Sequence, residues 1–145
     1  MKLEVLFEYN HSMNMQLIQL LDEHLEHISD KSFQLLSYIL YAHQIKNATI
    51  RLEPSFQVWQ IHNWDAIATI NSANYAAMLS ILKNDDLNRE IEYANSAGQM
   101  YRNRIEDILF HIINHTTYHC AQTAIEYRAQ GIPPQSTGYI MHRLL

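Results

Sequence analysis

Hydrophobic positions recur at helical spacing along most of the chain. Leu3, Leu6, Phe7, Met13, Leu17, Leu20, Leu21 and Leu25 share one face of a helix over residues 3–28, which Ser29 and Asp30 end. A second helix starts near Ser32, carries Leu36, Ile39, Leu40 and Ile50, and continues to about Leu52. Pro54 then stops it, because proline lacks the amide donor and clashes with the preceding turn. Residues 53–64 form a connection carrying Phe56, Trp59 and Trp64. Asp65 caps a third helix, whose buried side is Ile67, Ile70, Tyr75, Met78, Leu79 and Leu82 and which breaks at Asn84-Asp85-Asp86.

Between Leu87 and Gln99 the helical period disappears. Ile91 and Tyr93 alternate with polar Glu90, Glu92 and Asn95, a pattern that predicts an extended crossover ending at Gly98. Its length suits two helices that do not lie side by side in up-down order. The fourth helix has well-marked ends: Asn103 with Glu106 three residues on reads as a capping box, and Gly131 before Pro133-Pro134 reads as a stop. A short last helix from about Ser136 to Leu144 packs Tyr139, Ile140 and Leu144 across the bundle end. The expected fold is all-α, a four-helix bundle with a long crossover before the fourth helix and a short C-terminal helix, in one domain over residues 1–145.

Composition narrows the class further. The chain has 145 residues, 48% of them hydrophobic and 17% charged, with three Gly and three Pro. That is enough for one real core, and too little Gly and Pro for a turn-rich β fold. A formal charge of −5 with ten Lys and Arg leaves no basic stripe for phosphates, so no nucleic-acid partner is expected. No apolar run approaches the roughly 18 residues of a membrane span, so no membrane partner is expected either. The start Met1-Lys2-Leu3-Glu4 is too acidic and too broken for a signal peptide, and the single cysteine, Cys120, has no internal partner. Together these predict a cytoplasmic protein.

The chemistry rests on histidines. With nine in the chain, the spacing His111–His115–His119 alone is not a signature. Geometry adds to it. At 100° per residue, Ile105, Leu109, Ile112, Thr116 and Thr123 face inward, with His119 on their flank, His115 next to it and His111 farther round. His115 and His119, one turn apart, can converge on an ion at the imidazole distance of ~2.0–2.1 Å. On the second helix His43 falls in the centre of the apolar stripe, where an unpaired imidazole costs roughly 1–3 kcal/mol. Taken alone, it is either a core histidine bonded to a neighbour or a ligand. Three inward imidazoles are harder to explain without a shared ion, and bundle cores are where such sites are built.

The segment His111-Ile-Ile-Asn-His115-Thr-Thr-Tyr-His119-Cys-Ala-Gln122, followed by Gly131-Ile-Pro-Pro-Gln and Tyr139-Ile140, resembles the C-terminal signature of the DinB-like (DinB/YfiT) metalloproteins. Tyr9-Asn10 and His43 match the family as well. The resemblance implies a four-helix bundle with a long crossover and a divalent metal held by His43, His115 and His119. It also implies an enzyme that hydrolyses amides or transfers a thiol, with a small-molecule substrate, and a homodimer. Two positions depart from the pattern. Many relatives carry His-His-Arg-Gly-Gln where this chain has Tyr118-His119-Cys120-Ala121-Gln122, and an aspartate where it has Ser136-Thr137-Gly138.

Three imidazoles leave coordination positions open, and a zinc-type centre of this kind lowers the pKa of bound water towards about 7. Imidazole ligands suit zinc or nickel, and iron as well. No His-Glu-x-x-His supplies a built-in base. Glu53 and Asp65 lie near helix ends, but spacing selects neither. Gln122 either hydrogen-bonds a ligand imidazole or bound water, or is an ordinary buried glutamine. Cys120 points about 100° away from His119 and is read as a packed thiol. His11, His24, His27, His62 and His142 are read as surface residues, and no tyrosine is assigned a catalytic part. The competing readings are a non-catalytic metal-binding or stress-related homodimer with the same ligands, and a helical dimerisation module without metal.

Overall fold

A computed structural model of the chain describes residues 2–54, 64–133 and 136–143. Five helices and one hairpin follow in order: α1 (Leu3–Glu23), α2 (Asp30–Ile50), α3 (Trp64–Asn84), β1 (Glu90–Ala94), β2 (Met100–Arg104), α4 (Ile105–Ala129) and α5 (Tyr139–His142). The fold is mostly helical, as the 3.6-residue period predicts, with a β-hairpin where a single extended crossover was expected.

Helix boundaries follow local chemistry. α1 ends at Glu23 instead of continuing to residue 28, since Leu25 lies half out in solvent and the buried stripe has run out. Ser29 is the N-cap of α2, its Oγ accepting from the Ser32 amide at 3.2 Å. The Ser29 amide in turn donates to Gln130 Oε1 at 2.8 Å, tying this corner to the end of α4. α3 begins at Trp64, so Asp65 lies in its first turn, where a carboxylate still favours the helix dipole. Phe56 and Trp59 of the preceding connection lie outside the described residues.

The hairpin corrects two expectations. β1 and β2 pair antiparallel, with Glu90 opposite Arg104 and Tyr93 opposite Tyr101. The turn is organised by Asn95, whose Oδ1 accepts from the Ala97 and Gln99 amides, and by Gly98 at φ +78°, a left-handed conformation natural to glycine. Asn103 is therefore a strand residue and not a helix cap: its Oδ1 accepts from the Tyr93 hydroxyl at 2.9 Å. α4 starts at Ile105 after Arg104, without a side-chain cap. Its other end behaves as expected, Gly131 reversing the chain at φ +75°. α5 is shorter than the predicted 136–144. Tyr139 packs edge-on against Tyr9, at 5.4 Å between ring centroids, and the Tyr9 hydroxyl donates to the Thr137 carbonyl, while Ile140 is exposed. Leu144 lies outside the described residues.

α2 packs against α4 and α3, and α1 against α3 and, less extensively, α4, while α1 and α2 meet only slightly. The interior has two apolar clusters. One gathers Leu17, Leu21, Leu36, Leu40, Ile67, Cys120 and Tyr127, the other Phe7, Ile50, Met78, Ile105, Leu109 and Ile112. A buried polar layer runs through the long helices, between the two clusters on α2, α3 and α4: Asn10 and Asn14 on α1, His43 and Asn47 on α2, Asn71 and Asn74 on α3, Thr116 on α4. Part of this layer is satisfied internally, since Asn47 Nδ2 donates to the Asn74 carbonyl at 3.0 Å and Asn74 Nδ2 to the Leu40 carbonyl at 2.9 Å. Among the described residues no helix is long and apolar enough to cross a membrane.

Candidate metal centre

His43 projects from the middle of α2 into this polar layer and is 4% exposed. Neither of its ring nitrogens has a hydrogen-bond partner among the described residues. A buried polar atom left unpaired costs about 1–3 kcal/mol, so the bare ring is an unfavourable arrangement. Burial, helped by nearby His11, pushes its pKa down to about 3, and the ring is neutral at physiological pH. Phe7 closes one side, at 5.9 Å between centroids.

α4 supplies the other imidazoles. His115 and His119 lie 4.4 Å apart ring to ring, and the Tyr38 ring of α2 packs against both. Burial, followed by the neighbouring His119, His111 and Lys46, lowers the His115 pKa to about 4, so it too is neutral. His119 Nδ1 lies 2.6 Å from Gln122 Oε1. Because that oxygen only accepts, Nδ1 is the donor in this contact. Gln122 is thus in hydrogen-bond contact with the His119 ring.

A cavity of about 470 Å³ lies where α2, α4 and the hairpin meet, and both His43 and His115 line it. Its third imidazole is His111, which the helical-wheel argument set farther round, while His119 lies outside the lining. Among the described residues no group of three or more His, Cys, Asp or Glu side chains is arranged to hold a metal ion. The donor set fits a divalent ion in its chemistry: His43 and His115 are neutral, and the His119 contact to Gln122 uses Nδ1, not Nε2. Assembling the three still requires side-chain movement.

Several residues differ from their sequence reading. His11 is not a surface residue, for it stacks on Tyr75 at 4.2 Å and its Nδ1 faces Asn71 Nδ2 at 3.3 Å. His24 is half-buried, with Nδ1 2.9 Å from the Leu20 carbonyl, and His142 packs on Tyr9. His62 lies outside the described residues. Cys120 is the packed thiol expected, buried and with its pKa pushed up to about 12. Lys46, Tyr38 and Tyr93 line the cavity without having been singled out. The signal for Lys46 was its place one turn after His43, on the same side of the helix.

A helical protein with two neutral imidazoles beside a cavity, one of them without a hydrogen-bond partner among the described residues, is a candidate metalloprotein. The DinB family pattern matches residues 8–143, nearly the whole chain, and the protein belongs to the DinB family. No curated protein and no solved structure matches it.

Proposed function

We propose that the protein is a divalent-metal-dependent enzyme, a hydrolase or a thiol S-transferase, whose metal is held by His43, His115 and His119. The reading includes a DinB-type four-helix bundle, with the hairpin forming the crossover between α3 and α4. The observation that carries it is His43: two buried ring nitrogens with no partner, next to a cavity that His115 also lines. Zinc or nickel is the ion this imidazole set suits best, with iron accommodated. When bound, such an ion supplies Lewis acidity and an open position for a substrate atom. The chain's own contributions are to keep His43 and His115 neutral by burial, to orient His119 through Gln122, and to wall the cavity with Tyr38 and Tyr93. A second copy fits the exposed apolar side of α4, which carries Phe110, Tyr118 and Ile125.

Elemental analysis of the purified chain tests this directly. One equivalent of metal is expected in the wild type, with stoichiometric uptake lost in His43→Ala and in His115→Ala while helicity is retained. Full metal content in either variant would overturn the assignment.

A further inference from the structure

The cavity beside His43 and His115 contains a cation without a counter-charge. Lys46, one turn after His43 on α2, is half-buried, with Nζ 4.7 Å from the centroid of the Tyr93 ring. His111 and His115 line the α4 wall of the same cavity, and Tyr93 and Asn95 its hairpin wall. No Asp or Glu lines it. Among the described residues no carboxylate forms an ion pair with Lys46. Nearby acids are engaged elsewhere: Asp107, in the adjoining groove that Lys46 also lines, lies 3.5 Å from Arg104, and Glu92 pairs with Arg102.

A lysine drawn part-way out of water with an aromatic ring but no anion beside it is an unfavourable arrangement, and burial accordingly lowers its pKa. An anion in the cavity would recover that free energy. In a chain of net charge −5, a recess with a cation and no acid is selective for negative ligands. The remaining walls, among them Tyr38, Tyr41, Ile45 and Ile112, are largely apolar and aromatic. The volume of about 470 Å³ is that of a small-molecule site.

We propose that this cavity binds a small organic monocarboxylate, with Lys46 as its counter-charge and the Tyr38, Tyr93 and Ile112 walls holding an apolar or aromatic body. The inference rests on reading the cavity as the reaction site, but Lys46 pairs with the carboxylate whether or not metal is present.

Calorimetric titration of the full chain, metal-loaded and after chelation, with phenylacetate, phenylacetamide and inorganic phosphate provides the test. Phenylacetate is expected to bind in both states, at least about tenfold tighter than the amide or phosphate, with an affinity that falls as salt rises. Lys46→Met should lose at least about tenfold for phenylacetate with metal content and phenylacetamide binding unchanged, and Lys46→Arg should restore most of it. Equal affinity for acid and amide, tighter binding of phosphate, indifference to Lys46→Met in a folded variant, or binding confined to the metal-loaded chain would each overturn the proposal. Failure of the metal reading is separable, because it appears as missing metal while phenylacetate still binds through Lys46.

Discussion

Tyr127 and Cys120 at one level of the interior and His43 at another are all withdrawn from water, and desolvation keeps all three neutral. Burial raises the Tyr127 hydroxyl and pushes the Cys120 thiol to about 12, while it lowers His43 to about 3. Their surroundings differ. Tyr127 and Cys120 belong to a cluster of leucines and isoleucines, where a neutral group is packing material. His43 belongs to the asparagine-rich layer and borders a cavity that holds His115, His111 and Lys46. The same physical cause therefore yields packed core atoms at one level and neutral imidazole nitrogens beside a cavity at the other. Neighbours, rather than the pKa shift itself, separate structure from chemistry.

The largest effect that can break this contrast is at the apolar level. Tyr127 is fully buried, so Tyr127→Ala should cost about 3–5 kcal/mol in urea denaturation with an unchanged m-value. A loss of under about 1 kcal/mol would mean that this level is loosely packed and not a sealed core.

Next in size is the acid response of the polar level. The His43 pKa falls from 6.5 to about 3 on folding, so between those values the unfolded chain binds more protons. Stability is then fully present above about pH 6.5 and is lost as pH falls towards 3, by on the order of 4 kcal/mol in metal-free protein. His115, half-buried and lowered to about 4, adds a smaller loss in the same direction. Denaturation curves of His43→Leu across this range should be flatter than wild type. Identical pH profiles would remove the neutral buried imidazole from the argument.

The two levels were unequally legible in the sequence. Leucines and isoleucines at helical period marked the four long helices, because one face of each is buried against its neighbours. His43 and His115 stood out because imidazoles on an inward face need a partner. The second strand was hidden: Met100–Arg104 exposes nearly every side chain, so it carries no alternating apolar signal, and Asn103 with Glu106 imitated a capping box. The polar layer was hidden for another reason. Asn10, Asn47 and Asn74 are ordinary polar positions along their own helices, and only the packing of α1, α2 and α3 brings them to one depth. Lys46 resembles any solvated helix lysine until the hairpin, through Tyr93, covers it.

The smallest effect makes the sharpest comparison between orphaned groups. The Tyr127 hydroxyl, like the His43 nitrogens, has no hydrogen-bond partner among the described residues. Tyr127→Phe removes it without changing shape, so stability should change by no more than about 1 kcal/mol, and in the stabilising direction if at all. Melting with and without added zinc should then show the wild-type rise, which at a hundredfold excess over Kd corresponds to about 2.7 kcal/mol. His43→Leu removes orphaned atoms equally, yet it should lose the zinc-dependent rise entirely. If both variants kept it, the unpaired nitrogens of His43 would be a packing cost like the tyrosine hydroxyl, and the polar level would have no claim to a metal.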